Sequence, residues 1–224
     1  MIEKLEKGLA TLGLDFDDAQ KNKIEVYINE VLECNKTYNL MKADSEEELA
    51  VNHILDTLAA APHLAKTIAS IKEKNSRKRL EIGDIGSGGG CPGIPLAVAF
   101  PNEHFTLVER MEKRCVFLSS AIRRMGLENV EILCLQADKV PKDSFDIEVF
   151  RAFHPFDKKI ASLLLGMCRE GGVIAAYKAR AEKIQAEMEE VKNQIPKYEK
   201  IKLHVPFLED HERNLVVITK TPRI

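Results

Sequence analysis

The chain has 224 residues, 45% hydrophobic and 30% charged, with a formal net charge of −2. This composition describes a globule with enough apolar mass for a real core and excludes a disordered chain. The balanced charge excludes a generically polyanion-binding protein, so any nucleic-acid contact must come from local basic patches.

Residues 1–78 read as an all-helical extension and 79–224 as the main domain. Ile2, Leu5 and Leu9 recur at helical spacing, and Ile24, Tyr27, Ile28, Val31 and Leu32 form a second apolar stripe. Asn39 to Met41 interrupts it. Ser45 and Glu48 then have the spacing of a capping box, opening a third helix through His53 and Leu58. His53 and Asp56 are polar residues within that helix's apolar stripe, and His53 alone would pass for a core histidine. The charge-dense stretch 72–79 marks the boundary. Met1 precedes a charged helix-like segment, not a signal core, and no apolar run approaches a membrane span; the expectation is a cytoplasmic protein without membrane contact.

From Leu80 strands and helices alternate. Strands are predicted at 80–85, 104–109, 130–136, 145–150, 172–177, 200–205 and 215–220. Helices are predicted at about 92–99, 113–125, 157–169 and 180–194. Alternating βα units imply a mostly parallel sheet with helices on both faces. No helix separates the last two strands, so they are expected to pair antiparallel. The five cysteines, Cys34, Cys91, Cys115, Cys134 and Cys168, show no metal-like spacing and read as reduced thiols. No metal site is expected.

The first strand runs into Asp84-x-Gly86-x-Gly88-x-Gly90, followed by Pro92, Pro95 and an apolar helical face. A strand, a glycine turn and a helix start make a nucleotide-cofactor site. In the dinucleotide pattern the third glycine would fall on Cys91, which disfavours a nicotinamide cofactor. The acidic-x-G-x-G-x-G form is typical of class I S-adenosylmethionine (SAM) methyltransferases, the acid suiting the cationic methionine half. Glu109, at the end of the second strand, is placed to accept ribose hydroxyls. Asp138, after the third strand, can face an adenine amine, although a turn-forming Asp before Pro141 reads equally well.

Arg151 follows the fourth strand in Arg151-Ala152-Phe153-His154-Pro155, at the sheet edge where such folds place reactive groups. A guanidinium has only donors, so it suits a carboxylate, a phosphate or an acceptor edge of a base. Lys178 and Arg180, after the fifth strand, are candidates for phosphate contact, whereas Arg123 and Arg124 suit a solvated helix end. Arg114 belongs to another basic group, with Arg110 and Lys113.

Asp84 to Leu96, Arg114 to Leu118, Gly126-Leu-Glu-Asn-Val, Arg151-Ala-Phe, His53-Ile-Leu-Asp56 and Glu212-Arg213-Asn214-Leu215 closely resemble the glucose-inhibited division protein B (RsmG) family. The resemblance covers nearly the whole chain. It implies a class I SAM-dependent, Rossmann-like α/β fold with a seven-stranded, mostly parallel sheet whose last strand is antiparallel, carrying the N-terminal helical extension. It also implies methyl transfer from S-adenosyl-L-methionine to guanine N7 in the 530 loop of 16S rRNA. Gly86, Cys91, Ala137 and Asp138 match the family's SAM contacts, with Asp84, Gly88, Gly90 and Glu109 beside them. Arg151 matches its arginine beside the cofactor. Lys178, Arg180, Arg114 and His53 are then candidates for RNA contact. The expected partner is the small ribosomal subunit, met by a monomer. Cys91 and Ala179 depart from the apolar residue and the glycine frequent at those positions. The alternatives are a methyltransferase acting on a small molecule or another RNA, and a module whose glycine turn only docks a partner.

Overall fold

A computed structural model describes residues 2–221. The N-terminal part forms α1 (Glu3–Thr11), α2 (Asp18–Asn35), α3 (Glu46–Leu49), α4 (Asp56–Leu58) and α5 (Ala61–Asn75). The third predicted helix therefore forms, but a π-helical stretch, Ala50–Leu55, separates α3 from α4. The capping box expected at Ser45 is only half made. Ser45 Oγ accepts the Glu48 N–H at 3.1 Å, while the Glu48 carboxylate takes the N–H of Asp44. The reciprocal box stands at Asp17 and Gln20, opening α2.

The remainder forms β1 (Glu81–Ile85), α6 (Gly93–Ala99), β2 (His104–Glu109), α7 (Glu112–Met125), β3 (Val130–Cys134), β4 (Phe145–Arg151), α8 (Lys158–Met167), β5 (Cys168–Lys178), α9 (Ala181–Glu190), β6 (Glu199–Lys202) and β7 (Asn214–Thr219). All seven predicted strands form, in the order β3-β2-β1-β4-β5-β7-β6. Only β7 runs against its neighbours, pairing antiparallel with both β5 and β6. β5 begins four residues before its predicted start because Cys168 already pairs with Phe145 ahead of a register shift.

One face of the sheet packs on α8 and α9 through Phe150, Leu164, Ile184 and Met188. On the other, a single apolar cluster joins Leu107, Val149 and Leu118 to Tyr27, Ile54 and Leu58 of the N-terminal helices. Buried apolar area on both faces drives this layering, at about 25 cal/mol per Å² removed from water. Arg77, in the link before β1, pairs with buried Asp146 at 2.9 Å. The N-terminal helices reach the carboxyl ends of β1, β4 and β5 through Tyr27 on the Gly89 carbonyl, Asp56 on Arg151 and the Thr57 carbonyl on Tyr177, and there the predicted site residues collect.

Cys115 and Cys134 correct the reading of five reduced thiols. The first turn of α7 lies beside the end of β3, with Cα atoms 6.0 Å apart, and the two sulfurs are joined as a disulfide. A sequence separation of 19 hid the pair, since only the packing of helix on strand brings it together. Cys34, Cys91 and Cys168 are free.

Candidate functional site

The glycine turn is built from beneath. Asp84, the next-to-last residue of β1, is fully buried, and one of its oxygens accepts the Gly93 N–H at 2.9 Å, tying the strand to the start of α6. Gly93 must be glycine: a Cβ there would lie 2.6 Å from that carboxylate and 2.3 Å from Leu107. The other oxygen, Oδ1, is buried with no partner. Burial pushes the Asp84 carboxyl up to about 7, opposed by the Gly93 hydrogen bond and by the Arg151 charge.

Gly86 turns the chain at φ +76°, a conformation that side chains resist. A Cβ on it would meet the ring of Phe153 at 2.5 Å. Gly88 stays open on its Cβ side, with no atom nearer than 3.9 Å, and its N–H is held by Glu109 Oε2 at 2.9 Å. Gly90 turns its bare side to Ile94 and Leu118, toward the core. Glu109 binds the Met111 N–H with its other oxygen, and Arg114 lies 3.7 Å away. Cys91 is buried with its sulfur 3.4 Å from Tyr27 Oη, and Tyr27 donates to the Gly89 carbonyl at 2.6 Å. Ala137 and Asp138 lie in a 3₁₀ turn, Ala137–Lys139, with Asp138 exposed.

Beside this turn opens a cavity of about 590 Å³ at the ends of β4, β5 and β7. Arg151 forms its floor. Nη1 donates to Asp56 Oδ2 at 2.9 Å and to the Asn52 carbonyl at 3.2 Å, and Nη2 donates to His53 Nδ1 at 2.7 Å. Asp56, buried, also accepts from Arg213 Nε at 2.9 Å. Phe153, His154 and Tyr177 supply aromatic wall. Ala152, at φ +53°, turns the chain between Arg151 and Phe153.

Lys178 lines the cavity, but its ammonium is committed to Glu187 at 2.6 Å and sits 4.9 Å over the Phe156 ring. Arg180 is exposed at the start of α9. The structure thus gathers Asp84, Gly86, Gly88, Cys91, Glu109 and Arg114 around one turn, and His53, Arg151 and Lys178 around the cavity. Arg151 is near enough to Asp84 to favour its charged form, which links the two. Arg213, Asp56 and Tyr27 belong to the same assembly. In sequence Tyr27 reads as one member of an apolar stripe and Asp56 stands out only as a polar residue beside His53, while Arg213 meets Asp56 across the fold.

The rRNA small subunit methyltransferase G family profile (GidB) matches residues 20–216. A Treponema denticola protein named ribosomal RNA small subunit methyltransferase G is 37% identical over 240 residues, covering 96% of this chain and 93% of that protein. A Klebsiella pneumoniae protein of the same name is 35% identical over the full length of both. Among solved structures, a methyltransferase from Pyrococcus furiosus aligns at TM-score 0.53 and 18% identity, over 70% of this chain and 83% of that one. The tRNA (m1A58) methyltransferase TrmI from Aquifex aeolicus aligns at TM-score 0.51 and 16% identity, over 70% and 69%. At that identity the solved structures speak to the fold, which is that of the class I SAM methyltransferases expected from the glycine motif. With its profile, its near full-length relatives and its sheet order in agreement, the chain belongs to the rRNA small subunit methyltransferase G family.

Proposed function

We propose that this protein transfers a methyl group from S-adenosylmethionine to small-subunit rRNA, at N7 of a guanine in the 530 loop. The observation that carries the reading is the pairing of the glycine turn with a cation-lined cavity whose carboxylate is already spoken for. Asp56 is held by two arginines, each of its oxygens accepting from one of them. His53 uses Nδ1 to accept from Arg151. Guanine N7 needs no base: it attacks through a lone pair, and its methylation leaves no proton to remove.

The residues of the turn fit the donor molecule. Asp84 keeps an unpartnered oxygen for an ammonium group, Gly88 leaves open space, and Glu109 can accept a ribose hydroxyl beside the two N–H groups it holds. Bound there, the sulfonium supplies an electrophilic methyl. The chain's own contribution is to bring N7 into line with it, and such positioning is worth several kcal/mol. Arg151, fixed at the cavity floor, holds the target nucleotide through an acceptor of the base or a phosphate. N7 lies on the major-groove edge, so the target base is unpaired or splayed into the cavity. Arg114, Arg110 and Lys113 at the mouth, with Arg180 and the helical extension 1–78, meet the RNA. Among the described residues no helix is long and apolar enough to cross a membrane. The protein acts as a monomer in the cytoplasm, where its subunit substrate lies.

The test is methyl transfer from tritiated SAM to small subunits from cells lacking the enzyme. Reduction and aniline cleavage then locate N7-methylguanine, whose ring opens under those conditions. Label in cell-extract metabolites and not in rRNA would reject the reading in favour of a small-molecule acceptor. Arg151→Ala with unchanged kcat and KM would remove the role given to Arg151.

A further inference from the structure

The grip on Arg151 comes from one short stretch of the N-terminal part. Asn52, His53 and Asp56 lie in or just after the π-helical segment Ala50–Leu55, whose widened turns point a carbonyl, an imidazole and a carboxylate at one guanidinium. Asp56 and Asn52 share Nη1, whereas His53 is the acceptor for Nη2. We propose that His53 is a positioning residue that fixes the Arg151 guanidinium toward the cavity through a neutral imidazole carrying its proton on Nε2. The inference rests on the methyl-transfer reading above and assigns a role to a residue outside the reacting groups.

The tautomer follows from donor and acceptor accounting. A guanidinium donates and never accepts, so at 2.7 Å His53 Nδ1 must offer its lone pair. The proton is then on Nε2, which donates to the Lys42 carbonyl at 3.1 Å. One added proton converts Nδ1 into a donor aimed at a donor, and either the imidazole or the arginine must turn away. The charged groups around His53 are Arg151 of β4, which opposes protonation, and Asp56 and Glu48 of its own helical run, which favour it. Arg213, at the start of β7, draws on Asp56 from the other side. Burial and the Arg151 charge outweigh the acids and hold the imidazole below its usual value, so the neutral form prevails at pH 7. Acid therefore releases Nη2 and lets the arginine swing.

The experiment combines ¹⁵N NMR of imidazole-labelled protein with kinetics on small subunits at saturating SAM, across pH 5.5–8. The spectra should show a protonated Nε2 and a bare Nδ1 at pH 7.5. His53→Ala should lower kcat by about 100-fold, the cost of a small misplacement, with a much smaller change in SAM affinity by calorimetry. His53→Asn, whose Oδ1 replaces Nδ1 as acceptor and takes up no proton in this range, should restore most of kcat and remove the acid limb. A proton on Nδ1, an unchanged kcat in His53→Ala, or a His53→Asn enzyme as slow as His53→Ala or with the acid limb intact would each overturn the proposal. If His53→Ala does not fold, the spectra and His53→Asn still decide. Absence of methyl transfer by the wild-type enzyme would instead overturn the function reading, while the spectra would still decide the contact.

Discussion

Tyr27 Oη lies 2.6 Å from the carbonyl oxygen of Gly89, so a helix of the N-terminal extension holds the apex of the glycine turn. The tyrosine is fully buried, and Met41 lies close enough to cover the other side of Gly89. The extension is therefore part of the turn's architecture as well as a surface facing outward.

Removing that hydroxyl leaves a buried carbonyl without its donor, which costs about 1–3 kcal/mol. Tyr27→Phe is expected to lower the melting temperature and weaken SAM binding several-fold, with little effect on kcat at saturating SAM. Thermal unfolding and calorimetry check both parts.

Under the proposed function, Asp84 is expected to make SAM binding depend on pH. Its carboxyl sits at about 7 in the folded chain against 3.8 for an ordinary aspartate, so the group's contribution to stability is full below pH 3.8 and is lost as pH rises toward 7. A bound ammonium favours the ionised form, so affinity should rise from pH 6 to pH 8 and then level off. Asp84→Asn cannot ionise. At pH 8 it should unfold later than wild type, by roughly 2–4 kcal/mol, yet bind SAM weakly with a flat pH dependence. Calorimetry at several pH values, beside denaturant melts, separates the two effects.

Glu148 presents a buried acid that the proposed chemistry does not use. It lies at the centre of β4 with both oxygens unpartnered, and burial raises its pKa well above the usual carboxylate range, opposed by Lys220. Raised in the folded state, it too withdraws stability as pH climbs above about 4.5. Glu148→Leu should raise stability at pH 8 by about 2 kcal/mol, a gain that shrinks toward pH 4.5. Methyl transfer should persist, since the side chain faces the α8 and α9 layer.

Arg110 follows Glu109 at the end of β2 and Lys113 lies in the first turn of α7, both exposed and, among the described residues, without an ion pair. Replacing either with alanine should raise KM for subunits and reduce the slope of log affinity against log salt by about 1. SAM affinity should stay the same. A salt series of kcat/KM is the measurement, and an unchanged slope would place the RNA elsewhere.

The sheet was legible because strand alternation and helix periodicity are local properties. All seven strands begin within about four residues of where apolar alternation and turn residues put them. The glycine spacing named the cofactor class for a similar reason, since a turn that tight restricts its own residues whatever lies around it. Capping was less secure: Ser45 and Glu48 have the right spacing, but Glu48 turned to the neighbouring N–H.

Residue types and spacing thus determined the architecture, the family and the position of Arg151 at a strand end. Tertiary structure decided what those groups touch. Arg151 meets Asp56 across 95 residues of sequence, Arg213 meets Asp56 across 157, and Cys115 finds Cys134 only when α7 lies along β3. Such contacts form where the packing of apolar faces carries polar residues of distant segments into range. No periodicity in a single stretch encodes which distant side chain will then stand opposite.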